Sequence, residues 1–188
     1  NKTIFIAPDG ALLSEYLKQG LVPGEIAYFV RGEGSAPVLE TPYGNIAVLI
    51  CSDAFFPDLV RRQVGRNGAD ILLIPAWDFE GVKYFWPYGT AFRAIENGLA
   101  MFRPARESVS IAVDYQGRPV VLSDYFLTDQ SIVYADLSTE GRETLYSLLG
   151  DWFAWLSIAG LVLLVVMAIA GRESEGNQLI TPVQRETI

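Results

Sequence analysis

Between Asp151 and Arg172 the chain carries no charge, and Trp152–Ala170 is 19 residues of almost wholly apolar side chains. As an α-helix this run spans roughly 28 Å, close to the hydrocarbon thickness of a bilayer. It has no polar face to turn toward water, which a core helix of that length would need. The run therefore predicts a transmembrane helix, and it lies at the wrong end of the chain to be a signal peptide. Tyr146, Trp152, Phe153 and Trp155 gather at its N-terminal end, where an interfacial aromatic belt belongs. Arg172 and Arg185 follow it and only Arg142 closely precedes it. That bias predicts a cytoplasmic C-terminus, with residues 1–150 on the other side. The expected organisation is a domain over 1–150, a membrane helix over 151–171 and a polar tail over 172–188.

The domain is long enough to enclose a core. It carries 12 Lys and Arg against 18 Asp and Glu, which argues against nucleic acid as a partner. The whole sequence has no histidine. That excludes Ser-His and Cys-His dyads and disfavours a zinc site, and no cofactor is expected. A single cysteine forms no intrachain disulfide, so an oxidising compartment is tolerable.

That cysteine ends the most informative stretch, "IAVLICSDAFFPD" (Ile46–Asp58). An apolar strand-like run, Ile46–Ile50, stops at Cys51; Ser52 and Asp53 follow, and Pro57 with Asp58 marks a helix start. A strand that turns sharply into a helix presents the side chain at the turn, with helical N–H groups aimed at it. A thiol there is expected to favour its thiolate and to act as a nucleophile. A free cysteine is equally readable as a small core residue.

Upstream, "TIFIA" (Thr3–Ala7), the turn "PDG" and Ala11–Tyr16 read as an edge hairpin entered partway through a fold. The chain is expected to be a piece of a longer protein. "EYLKQGLVPGE" (Glu15–Glu25) is a Gly/Pro loop carrying Lys18 and Glu25. A lysine there can lower a thiol pKa and hold an oxyanion, or be an ordinary solvated side chain. "APVLETPYGNIAVLIC" predicts two strands joined by "PYGN". A helix is expected over Pro57–Arg66, a buried strand over Ala69–Pro75 and a helix over Thr90–Gly98 with Phe92, Ile95 and Leu99 on one face. Strands are expected at Ala100–Arg103, Val109–Asp114, Pro119–Leu122 and Gln130–Ala135, then a helix at Thr139–Leu149. "WDFEGVKYFWPY" (Trp77–Tyr88) is readable as core packing or as a loop beside lipid.

Four pieces in order, "YLKQGLVPGE", "TPYGNIAVLICSDAFFP", "FRAIENGLAMFRPA" and "SVSIAVDYQGR", resemble the nitrilase (carbon–nitrogen hydrolase) superfamily. Within it they are most similar to the C-terminal part of the membrane-anchored apolipoprotein N-acyltransferases. The resemblance covers nearly all of residues 1–150. It implies an α+β fold, part of an α-β-β-α sandwich followed by the membrane helix. It implies a Glu–Lys–Cys triad, in which Lys18 and Cys51 take the matching positions. Glu25 and Asp53 match further acidic residues that support the site in acyltransferases, and Ser52 supplies a backbone N–H to the oxyanion with Lys18.

The implied reaction moves a phospholipid acyl chain through a Cys51 thioester to the N-terminal amine of a lipoprotein, at the bacterial inner membrane, with the domain on the extracytoplasmic side. The implied partners are a phospholipid donor, a lipoprotein acceptor and the membrane. Rival readings are a membrane-tethered amidase or nitrilase, with water as acceptor, and a degenerate binding domain. Three departures bear on this. No residue upstream of Lys18 matches the general-base glutamate, so 1–188 alone is expected to be inactive. The Lys18–Glu25 spacing is one residue short. Cys51-Ser52-Asp53 stands where Cys-Tyr-Glu is usual, and the shorter Asp53 is expected to lose or re-route its hydrogen bond.

Overall fold

The computed structural model describes residues 1–127 and 132–178. The chain divides into two units, Asn1–Gly150 and Asp151–Ile188. The first opens with an antiparallel hairpin of β1 (Lys2–Ile6) and β2 (Leu12–Leu17), turned at Pro8–Gly10 as expected. The centre of the unit is a six-stranded sheet. Its strands are β3 (Val38–Thr41), β4 (Gly44–Val48), β5 (Ile71–Leu73), β7 (Ala100–Arg103), β9 (Val109–Val113) and β10 (Pro119–Asp124). A short parallel pair, β6 (Ala76–Trp77) and β8 (Ala105–Arg106), extends beyond the ends of β5 and β7.

The sheet runs β10-β9-β7-β5-β4-β3. β4, β5 and β7 are parallel, and the outer pairings are antiparallel. The three parallel strands end on one edge, and Cys51, Pro75–Asp78 and Arg103 collect just beyond it. In open α/β sheets that carboxyl edge is where chemistry is placed.

Helices α1 (Pro57–Gln63) and α2 (Phe85–Asn97) pack on one face of the sheet. Val60, Val64 and Ala94 meet Leu49, Leu72, Met101, Ile111 and Val113 in a closed core. On the other face Ile46, Ile71, Leu73 and Phe102 stay half-buried around an open cavity of ≈ 610 Å³ bordered by Ala135, Leu137 and Thr139. One helix layer on one sheet is the α+β half of a sandwich, as expected.

Several expectations are corrected. α1 stops at Gln63 because Gly65–Asn67 tightens into a 3-10 turn. α2 begins at Phe85, inside the aromatic stretch, and its buried face is Thr90, Ala91, Ala94 and Asn97. Phe92 and Ile95 are exposed, because small residues let the helix lie close to β7 and β9. Gly98 ends α2 as expected, at φ 64°, and accepts the Arg142 N–H at 2.7 Å; a Cβ there would strike the Arg142 carbonyl. The last helix of the unit is only α3 (Leu145–Leu149), started by Thr144, whose hydroxyl accepts the Ser147 N–H. Of the strand expected at Gln130–Ala135, residues 130–131 lie outside the described residues and 132–135 has no regular structure.

The second unit holds one helix, α4 (Trp152–Gln178), which runs seven residues past the expected end at 171. Its Trp152–Gly171 segment has mean hydropathy 2.6 and is long and apolar enough to cross a membrane.

Candidate active site

β4 ends at Val48, three residues before the cysteine. Instead of entering α1 directly, as the sequence suggested, the chain first makes a 3-10 helix over Cys51–Phe55. Cys51 is its first residue and has φ 48°, a left-handed conformation that a non-glycine residue adopts at a cost of about 1–3 kcal/mol. The Cys51 N–H donates to the Pro75 carbonyl at 3.0 Å, which ties it to the segment after β5, and the backbone of Trp77 favours its thiolate.

Asp53 is fully buried and accepts four hydrogen bonds. Oδ2 takes the Tyr16 hydroxyl at 2.8 Å and the Ile50 N–H at 3.0 Å; Oδ1 takes the N–H groups of Gln19 at 3.0 Å and Gly20 at 2.5 Å. The shorter carboxylate binds the chain on either side of Lys18 and ties that loop to the cysteine turn. Burial and the neighbouring Asp53 charge push the Tyr16 phenol far above its ordinary pKa. Ser52 adds a second tie, its hydroxyl donating to the Gly20 carbonyl at 2.5 Å.

Lys18 is 1% exposed, which removes the solvated-loop reading. Its Nζ lies 2.6 Å from Glu25 Oε2. Glu25 also accepts from Val22 N at 3.1 Å and Asn1 Nδ2 at 2.9 Å. Partial burial opposes the Glu25 charge, but the Lys18 and Val22 hydrogen bonds outweigh it and hold the carboxyl below its usual range. The structure therefore brings all five sequence-nominated residues, Lys18, Glu25, Cys51, Ser52 and Asp53, into one connected arrangement. Lys18 acts electrostatically on the thiol and lowers its pKa.

The thiolate expectation is corrected. Burial is the largest influence on Cys51 and pushes its thiol up; Asp78 pushes the same way, while Lys18 and Arg103 pull down without prevailing. Alkylation of Cys51 by iodoacetamide across a pH series is accordingly expected to rise late, with a midpoint above that of a free cysteine peptide at about 8.5. A midpoint below the peptide's would contradict this.

Sequence reasoning did not single out Tyr16, Asp78 or Arg103. A charge closing the apolar strand "AMFR" was the available signal for Arg103, because a buried arginine needs a partner. Among the described residues no group of acidic, cysteine or histidine side chains is arranged to hold a metal ion.

A model of carbon-nitrogen hydrolases matches residues 1–145. The chain belongs to the carbon-nitrogen hydrolase family. Two kinds of relative within it are similar to this chain. The apolipoprotein N-acyltransferase of Gloeobacter violaceus is 34% identical over 143 residues, covering 74% of this chain and 26% of that protein. The deaminated glutathione amidase of a Synechocystis species is 36% identical over 118 residues, covering 56% of this chain and 43% of that protein. Among solved structures, a mutant of the Nesterenkonia AN1 amidase from the nitrilase superfamily is 26% identical, with TM-score 0.58 over 66% of this chain and 51% of its own. The chain thus spans only part of the length of the carbon-nitrogen hydrolases it matches.

Proposed function

We propose that this chain carries the nucleophile half of a membrane-held acyltransferase, which moves a phospholipid acyl chain to the N-terminal amine of a lipoprotein. The reading rests on one combination: a buried lysine acting on an elbow cysteine, in a unit followed within two residues by a helix able to cross a bilayer. The tether keeps the cysteine near lipid. Trp77, Phe79, Tyr84 and Phe85 stand exposed near that edge of the sheet and suit a lipid interface better than water.

The Cys51 sulfur, its proton removed, attacks an ester carbonyl of the phospholipid. The C–S bond forms as the carbonyl oxygen becomes an oxyanion, held by the Lys18 ammonium and the Ser52 backbone N–H. Collapse breaks the ester C–O bond; the lysophospholipid leaves with the proton, and a thioester remains. The acceptor amine then attacks the thioester carbon, forms the amide and returns the thiol. Glu25 keeps Lys18 in place, and Asp53 holds the loop that carries it. The proton shuttle is a carboxylate beyond the five nominated residues, because Glu25 and Asp53 are committed to these bonds. The site faces the extracytoplasmic side of a bacterial inner membrane, with the end of α4 in the cytoplasm.

A second reading has an observation of its own: the similarity to the Synechocystis amidase, which favours an amide substrate and water as acceptor. One assay separates the two. The full-length natural protein in micelles is given a phospholipid with one labelled acyl chain, then a diacylglyceryl-cysteine peptide. Acyl transfer predicts hydroxylamine-labile label on Cys51 that moves to the peptide amine. Label reaching only water, or thioester formation from simple amides alone, would replace the transferase with a hydrolase. Residues 1–188 alone are expected not to turn over.

A further inference from the structure

Beside the cysteine lies an ion pair that the reaction above does not use. Asp78 and Arg103 both have side chains at 0% exposure. Arg103 Nη2 donates to Asp78 Oδ1 at 2.9 Å, and Nη1 stands 2.9 Å from Oδ2. A buried pair of this kind is weak evidence for stability, because desolvating two charges offsets most of their attraction. Arg103 Nε is buried as well and has no hydrogen-bond partner among the described residues.

Its place in the fold is more telling. Arg103 closes β7, and Asp78 directly follows β6. The Ala76 N–H donates to the Pro104 carbonyl and the Asp78 N–H to the Arg106 carbonyl, each at 3.0 Å. The ion pair therefore braces β6 onto the segment after β7 from the side-chain level, as these bonds do from the backbone. β6 and its flank are what Cys51 leans on: Pro75 accepts its N–H, and β6 packs against the 3-10 turn that Cys51 begins. Cys51 needs such bracing, because its left-handed backbone persists only where the surroundings impose it.

We propose that Asp78 and Arg103 are positioning residues for Cys51: the pair fixes the strand against which the cysteine turn packs and sets the sulfur beside a buried anion and a buried cation. Three charged groups act electrostatically on the sulfur: Lys18 from the loop after β2, Asp78 from the segment after β6, and Arg103 from β7. Lys18 and Arg103 favour the thiolate and Asp78 opposes it. The pair thus does two things at once. It holds geometry as a unit, and its members act on the thiol with opposite sign.

The test rests on Cys51 being the nucleophile but uses alkylation, which needs no acyl donor, so its outcome is separate from that of the transfer assay. Asp78→Asn and Arg103→Gln are made in the whole chain in detergent micelles. Iodoacetamide rates are followed across a pH series, with circular dichroism and thermal unfolding as controls for the fold. Asp78→Asn is expected to move the alkylation midpoint down and Arg103→Gln to move it up, each by about one pH unit. Loosened packing alone would hydrate the sulfur and move both midpoints down together, and that shared direction overturns the proposal. Should either variant fail to fold, Arg103→Lys decides. It keeps the cation and loses the fork, so its midpoint is expected not to rise. A rise comparable to that expected for Arg103→Gln overturns the proposal.

Discussion

Asp53→Asn is expected to lower stability by about 3 kcal/mol and to abolish the reactivity of Cys51 toward acyl donors. The carboxylate faces donors at all four of its hydrogen bonds: the Tyr16 hydroxyl and the N–H groups of Gln19, Gly20 and Ile50. Asparagine keeps one oxygen and puts an NH₂ in place of the other. If the oxygen stays toward Gln19 and Gly20, Tyr16 can rotate its hydroxyl to accept, but the Ile50 N–H then meets another donor at a buried point. If the amide flips, two backbone N–H groups are stranded instead. Either way the tie between the cysteine turn and the Lys18 loop is broken at a fully buried point. In a chain of this size the loss corresponds to a fall in Tm of about 10 °C. Tyr16→Phe removes one of the four donors and leaves the charge satisfied by three, so about 1 kcal/mol is expected there. Thermal unfolding of both variants in micelles measures the contrast. An Asp53→Asn protein that melts with the wild type would show that this carboxylate does not organise the site.

The hairpin, the "PYGN" turn, the buried strand after α1 and the cysteine turn were all legible in the sequence, because each has a local cause. Turn residues, continuous apolar runs and Pro57 act over a few positions. The nominated side chains were legible for a different reason: the order of the four matching segments placed Lys18, Glu25, Cys51 and Asp53 together before any distance was known. What the sequence did not carry were facts set by packing between distant segments. Phe92 and Ile95 look like the core face of α2, yet Ala91 and Ala94 are chosen because close approach to the sheet rewards small side chains. The thiol was expected to ionise easily because the elbow and the helix start can be read locally. Its burial, which wins, comes from β6 and the Lys18 loop closing over it. Asp78 and Arg103 are 25 positions apart, and only the edge of the sheet brings them together.

Lys18→Met is expected to reduce acylation of Cys51 about a thousandfold, through kcat more than KM. Methionine is unbranched and only one atom shorter than lysine, so most of the packing around this 1% exposed side chain is kept while the charge is lost. The loss acts twice. The thiol sits high already, and Lys18 is the largest of the influences that pull it down, so removing it moves the alkylation midpoint higher still. The oxyanion also loses the cation proposed to hold it, and a charge that forms only during reaction weighs on the transition state rather than on the bound substrate. Glu25→Gln separates position from charge. It leaves the ammonium but weakens its 2.6 Å anchor, so a loss of about tenfold is expected. Lys18→Arg should not restore activity, because a planar fork does not fit a slot shaped for a slim ammonium. Pre-steady-state acylation with a labelled phospholipid distinguishes these cases. Were Lys18→Met to acylate at the wild-type rate while Glu25→Gln fell sharply, the carboxylate and not the lysine would be the group acting on the reacting atoms.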